Sequence, residues 1–171
     1  MHSKPPARFK DAVSSVTVRA ARASEAASLT ALCLRSKAHW GYDAEFMRLC
    51  AATLVIGDRS IADGRVLVAT DGDGRILGTS SVLQDGEDAS LDLMFVEPAA
   101  IGGGVGRKLF GEAVRLARRL GYRRMTILAD VYAAPFYERM GARFLRQAPS
   151  DAIPGRMLPY YEYDLAMEPA T

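Results

Sequence analysis

Apolar and polar positions along the chain run in two periods, and each change of period marks an element. Val16-Thr17-Val18-Arg19 alternates as a first strand. Leu29, Leu32 and Cys33 then follow i, i+3, i+4 spacing behind Ser24, which is placed to cap a helix. The turn Trp40-Gly41-Tyr42 leads to a second helix capped by Asp43, with Tyr42 and Met47 spaced as a hydrophobic staple. Arg65 to Thr70 and Arg75 to Leu83 are strand patterns separated by Asp71-Gly72-Asp73-Gly74, a hairpin signal. Asp85-Gly86-Glu87-Asp88 turns the chain into the apolar run Leu91 to Val96, which Pro98 closes. After a run of glycines, Leu109, Ala113, Leu116, Ala117 and Leu120 share one helical face, and Gly121 ends the helix. Met125 to Asp130 is another apolar strand. Pro135 opens a short helix that Gly141 terminates, and Ala142 to Arg146 and Met157 to Ala166 read as two closing strands.

Composition narrows the class without naming a chemistry. A chain of 171 residues with 49% apolar and 25% charged residues has the makeup of one globular domain with a substantial core. The net charge of +2 favours neither nucleic acid nor a membrane. Arg115, Arg118 and Arg119 have the spacing of a solvated helix face, and no aromatic residues interleave with them. Cys33 and Cys50 fall in apolar helical patterns and read as buried free thiols, as suits a reducing, cytoplasmic compartment. Residues 1–14 lack the apolar centre of a secretion signal. The expectation is a flexible tail over 1–15 and a single domain over 16–168.

The glycine run supplies the first candidate chemistry. In Ile101-Gly102-Gly103-Gly104-Val105-Gly106-Arg107-Lys108, glycines join an apolar strand to an amphipathic helix. Main-chain N–H groups at such a helix start attract an anion, and a residue without Cβ lets a phosphate approach closely. A nucleotide P-loop is excluded, because Arg107 separates Gly106 from Lys108 and Leu109 stands where a hydroxyl is required. The dinucleotide fingerprint fails too: its last glycine would fall on Arg107 or Leu109.

The stretch Val96 to Arg107, with Val96-Glu97-Pro98 and the closing Gly104-Val105-Gly106, resembles the acetyl-CoA loop of the GNAT N-acetyltransferases. Ile101 stands where that pattern has Arg or Gln. Ala133-Ala134-Pro135-Phe136-Tyr137-Glu138-Arg139-Met140-Gly141-Ala142 is similar to a second segment of the family, with Asp130 in an Asn position. The element order βααβββαβαββ agrees with the same architecture from Val16 to Met167. The resemblance implies an α/β (α+β) fold with a central mixed, mostly antiparallel sheet flanked by helices. It implies transfer of the acetyl group of acetyl-CoA, without a metal, to a primary amine. Gly102, Gly103, Gly104, Val105, Gly106 and Arg107 would hold the pyrophosphate, and Met94, Phe95 and Val96 the pantetheine arm. Tyr137 would protonate the departing thiolate, and Asp130 would contact the coenzyme.

On the acceptor side, Ser36 to Asp43 gathers His39, Trp40 and Tyr42 at a turn between two helices, and these are the expected substrate contacts. Trp40 reads equally as a core plug joining those helices. Asp92 is the first candidate base, and Glu97 reads better as a strand-end charge. His2 and His39 stand apart from other ligand types, so no metal site is expected. The acceptor is a small molecule or a peptide, with neither nucleic acid nor membrane as partner, and a homodimer is left open. A non-catalytic acyl-CoA-binding module on the same fold is the other reading.

Overall fold

The computed structural model describes residues 15–167. His2 and, apart from Ser15, the expected tail lie outside the described residues. Seven strands form one sheet: β1 (Thr17–Ala20), β2 (Val66–Thr70), β3 (Ile76–Asp85), β4 (Asp88–Val96), β5 (Arg124–Leu128), β6 (Arg143–Pro149) and β7 (Met157–Asp164). Their order is β1-β2-β3-β4-β5-β7-β6. Every neighbouring pair is antiparallel except β4 and β5. Five helices join them: α1 (Ala26–Ala38), α2 (Ala44–Cys50), α3 (Asp58–Ala62), α4 (Val105–Arg119) and α5 (Ala134–Arg139).

Side-chain alternation distributes the strand residues between two cores. Val66 and Val68 of β2, with Leu93 of β4, pack against Leu29, Cys33, Cys50 and Leu54 under α1 and α2. Leu67 and Ala69, with Val82, Leu91, Met125 and Ile127, face Leu109, Phe110, Ala113 and Ala117 of α4. Helices thus cover both faces of β2, which explains its unbroken apolar run. Burying a Leu or Ile side chain stabilises the fold by about 1.5–3 kcal/mol.

One irregularity in this sheet makes the site. β3 and β4 pair residue for residue until the register slips between Ser81 and Val82, which face Leu93 and Leu91 and leave Asp92 without a partner. Such a bulge bends its strand and re-aims the extra side chain. β4 meets β5 only at Ala89–Met125 and Ser90–Thr126, whereas β5 stays with β7 out to Leu128–Tyr160. Beyond Ser90 the two parallel strands part. The edge of β4 from Leu91 to Val96 has no strand beside it on that side.

Several expectations shift locally. Ser24 lies inside a 3-10 turn, Ala23–Glu25, and does not cap α1. The Glu25 carboxylate, gripped by Arg19 at 2.6 Å, takes the Arg22 N–H at 2.8 Å instead. That hydrogen-bonded pairing draws the Glu25 carboxyl down to about 2. Asp43 does cap α2, accepting from the Phe46 N–H at 2.8 Å. Tyr42 stacks flat on Phe46, with centroids 3.9 Å apart. Helix α3 has only five residues, too few to show a period. Leu120 is the C-cap of α4 and is 41% exposed, so the buried face stops at Ala117. β4 starts at Asp88, earlier than its apolar run suggests, and β7 ends at Asp164. There Arg118 captures the Leu165 carbonyl at 2.8 Å.

Candidate active site

A cleft of about 750 Å³ opens where β4 and β5 part. One end is made of main chain. Gly102 and Gly104 have φ of +83° and +86°, the left-handed region, and Gly104 is the N-cap of α4. This double turn binds the Gly103 N–H to the Ala100 carbonyl at 3.2 Å and the Lys108 N–H to the Gly104 carbonyl at 3.2 Å. Between them, the N–H groups of Gly104, Val105, Gly106 and Arg107 have no main-chain acceptor among the described residues. Gly102, Gly104, Gly106 and Arg107 line the cleft. The Val105 side chain is buried under the sheet, leaving only its amide for a ligand.

The cleft then follows the free edge of β4, past Met94, Phe95 and Val96, with Leu128 and Ala129 opposite. Tyr137 on α5 forms part of its wall and is 6% exposed. Its hydroxyl makes no hydrogen bond among the described residues. Burial, and secondarily the negative field of Asp130, push its pKa well above the ordinary phenol range. Tyr137 is therefore held protonated, a hydrogen-bond donor facing a cleft.

Asp92 enters the same space from the bulge. Its carboxylate reaches the cleft solvent while protein walls surround it, and this partial desolvation raises its pKa. Asp151 adds to the rise, and a hydrogen bond from Ser81 opposes it. Glu97, the second candidate base, is absent from the cleft wall and ion-paired to Arg35 at the strand end.

The far end is made of charged and aromatic side chains. Asp130 accepts from Lys37 Nζ at 2.5 Å, from the Tyr42 hydroxyl at 3.0 Å and from the Tyr132 N–H at 3.0 Å. Burial alone would raise Asp130, but these hydrogen bonds outweigh it and hold the carboxyl below its usual range. Arg156 donates to the Tyr42 hydroxyl at 2.8 Å and stands 3.7 Å from Asp130 Oδ2. Burial and the Asp130 charge push the Tyr42 phenol up to about 12. Trp40 is 39% exposed and stacks on Tyr132 with centroids 5.1 Å apart, on the cleft wall and outside either core. His39 packs edge-on against Trp40 and does not reach the wall, and Tyr42 stands behind the wall, its hydroxyl bonded to Asp130 and its ring against Lys37 and Arg156.

The structure thus brings together Asp92, Met94, Phe95, Val96, Gly102, Gly104, Gly106, Arg107, Asp130, Tyr137 and Trp40. Lys37, Tyr132, Asp151 and Arg156 escape a reading of the sequence: Lys37 meets Asp130 across 93 positions and Arg156 meets Tyr42 across 114. Burial pushes the Cys33 thiol up to about 12, so it is no nucleophile. Among the described residues there is no cluster of metal-ligating side chains, and no helix is long and apolar enough to cross a membrane.

Residues 62–141 match the family model described as an acetyltransferase (GNAT) domain. No curated protein sequence matches the chain significantly. Among solved structures, a GCN5-related N-acetyltransferase from Rhodopseudomonas palustris superposes with a TM-score of 0.71 at 23% identity, covering 88% of this chain and 96% of its own. PaiA N-acetyltransferase from Thermoplasma acidophilum, solved with coenzyme A, gives 0.70 at 14% identity, over 88% and 99%. YncA from Salmonella typhimurium, solved with its cofactor acetyl-CoA, gives 0.66 at 23% identity, over 91% and 97%. The seven-stranded mixed sheet flanked by helices is the GNAT acyl-CoA N-acyltransferase fold.

Proposed function

We propose that this chain, whose residues 62–141 match a GNAT acetyltransferase domain model, transfers the acetyl group of acetyl-CoA directly to a primary amine. The observation that carries this reading is the free edge of β4. It runs from a loop of unpartnered N–H groups to a buried, protonated tyrosine.

The coenzyme fits the groups present. Its pyrophosphate would accept from the amides of Gly104 to Arg107, where the α4 dipole also favours negative charge. Arg107 and Arg139 lie on the wall and would add positive charge there. The pantetheine amides would find the unpaired main chain of Met94 to Val96, as an added strand would. Gly103 takes part by shaping the turn, since its own N–H is already engaged. Asp130, saturated by donors, would act at the acceptor end and not as a phosphate contact.

When bound, acetyl-CoA supplies an activated thioester, whose C–S bond breaks as the C–N bond forms. Tyr137 delivers its phenolic proton to the departing sulfur, a role its raised pKa suits because it remains protonated at neutral pH. Asp92 accepts the proton that the amine nitrogen sheds, directly or through one water, and a raised pKa makes it a better base. A main-chain N–H on the free edge of β4 is available to the carbonyl oxygen as charge builds there. Bulk water restores both groups. No covalent acyl-enzyme is needed, which agrees with Cys33 being buried and un-ionised. A reducing, cytoplasmic setting suits the two buried free thiols.

The test is a panel of primary amines with acetyl-CoA, following thiol release and the acetylated product by mass. Tyr137→Phe removes the proton and keeps the ring. Turnover should fall by roughly 10²–10⁴-fold, the range of acid–base catalysis, with coenzyme affinity unchanged. Coenzyme binding without thiol release for any amine would make the chain a binding module.

A further inference from the structure

The wall of the cleft carries buried charges of both signs. Among them are Lys37 and Arg156, with side chains only 11% and 18% exposed, facing the single carboxylate of Asp130 at 15%. Two cations against one anion leave one positive charge uncompensated inside the wall. Donors are left over as well. Lys37 directs one of its three N–H bonds to Asp130, and Arg156 makes one hydrogen bond from a group with five donors. Both cations are held against the Tyr42–Phe46 stack, 4.9–5.7 Å from the ring centroids. They are therefore pre-positioned, and little side-chain entropy remains to be lost when a ligand arrives.

The same wall carries Asp92 and Asp151, and the Asp151 charge acts on the Asp92 carboxyl. The loop between β6 and β7 supplies both Asp151 and Arg156. It is closed by the Ser150 N–H on the Arg156 carbonyl at 2.8 Å and braced by Ser150 Oγ, which accepts from Ala152 and Ile153. Asp151 and Arg156, one anion and one cation, are thus held in one short, braced loop.

Building on the proposed acetyl transfer, we propose that the acceptor is a zwitterion of the free amino acid class. Its amine lies at Asp92 and Asp151, and its carboxylate is received by Arg156 and Lys37. A guanidinium with spare donors matches the two oxygens of a carboxylate. The same wall discriminates against other amines. A polyamine would bring a second ammonium onto Lys37 and Arg156, and a protein lysine would present neutral amides to a positive charge.

The experiment compares amino acids with their own carboxamides as acceptors for the intact protein, with spermidine as the polycationic reference. Titration calorimetry with acetyl-CoA runs beside it. Losing charge-assisted hydrogen bonds should lower kcat/KM for the carboxamide by about 10- to 100-fold relative to the acid. Arg156→Gln should raise KM for the amino acid about tenfold, narrow the acid-to-amide ratio and leave acetyl-CoA affinity unchanged. Arg156→Lys, which keeps the charge, should restore part of the ratio and guards against a folding defect. Carboxamides or spermidine used as well as amino acids, with acetyl-CoA still bound, would overturn the acceptor class alone. Failure to bind acetyl-CoA would overturn the acetyl-transfer reading and this inference together.

Discussion

The two ends of the cleft are built from different materials. At the glycine end the groups presented to a ligand are main-chain amides, fixed by two left-handed glycines and the first turn of α4. At the opposite end they are side chains from four separate places: Lys37 on α1, Trp40 and Tyr42 in the α1–α2 turn, Asp130 and Tyr132 after β5, and Arg156 before β7. An amide cradle reads phosphate and little else, because its donors carry no side-chain identity. A side-chain wall can be re-lettered residue by residue without touching the cradle. On the proposed reading, the amide half would fix the coenzyme and the side-chain half would set the acceptor.

Substitutions that act on one end and spare the other can break this contrast. The largest effect on stability is expected at Asp130. Asp130→Asn leaves Lys37 and Arg156 largely buried without a counter-charge, a loss of about 3–5 kcal/mol for a broken buried pair. The native carboxyl is held below its unfolded value, so its contribution is complete above that value and disappears as pH falls through the lowered one. Denaturant melts from neutral to acid pH should show this acid limb in the native protein and a flatter curve in the variant.

Asp92→Asn should separate activity from stability. As the base, its removal lowers kcat/KM by roughly 10²-fold and abolishes the acid limb of the pH–rate profile. Its pKa is raised in the folded state, so ionising it costs stability as pH climbs from the unfolded value through the folded one. The uncharged variant should therefore melt no lower than the native protein at neutral pH, and slightly higher if the cost is appreciable. A normal rate in this variant would assign proton removal to water alone. The smallest effect belongs to Trp40→Ala. A half-exposed ring stacked on Tyr132 contributes about 0.5–1.5 kcal/mol, well short of the 3–5 expected for a core tryptophan. Acceptor KM should rise while coenzyme affinity holds, and thermal melts with calorimetry separate the two.

The same contrast explains what the sequence discloses. The glycine loop, the strand before it and the helix behind it are contiguous, so spacing alone marks Gly102 to Arg107 as an anion cradle, whereas the edge of β4 is implied by the resemblance. Tyr137 stands in a short segment between Pro135 and Gly141, and only the resemblance of that segment to the GNAT family singles it out. Lys37 looks like one more polar residue at the end of a helix, and Arg156 like one charge in a loop. Only the sheet order β4-β5-β7, which brings the turn after β5 beside the β6–β7 loop, makes them partners of Asp130. Asp92 is visible as a residue but not as a bulge, because the slip at Ser81/Val82 depends on how two strands pair. The Tyr42–Phe46 stack is hidden on a similar point, because spacing pairs Tyr42 with Met47 and gives no sign of the flat ring contact.

The central claim is that main-chain amides of the glycine loop hold the coenzyme. Calorimetric titration of CoA into Gly104→Val tests it most directly. A β-branched residue at φ +86° costs about 1–2 kcal/mol in the left-handed region and turns the first amides of α4 away from a common centre. The account predicts that the folded variant, verified by its melt, binds CoA at least about 100-fold more weakly, a change of roughly 2.7 kcal/mol. A folded variant that binds CoA with native affinity would contradict it.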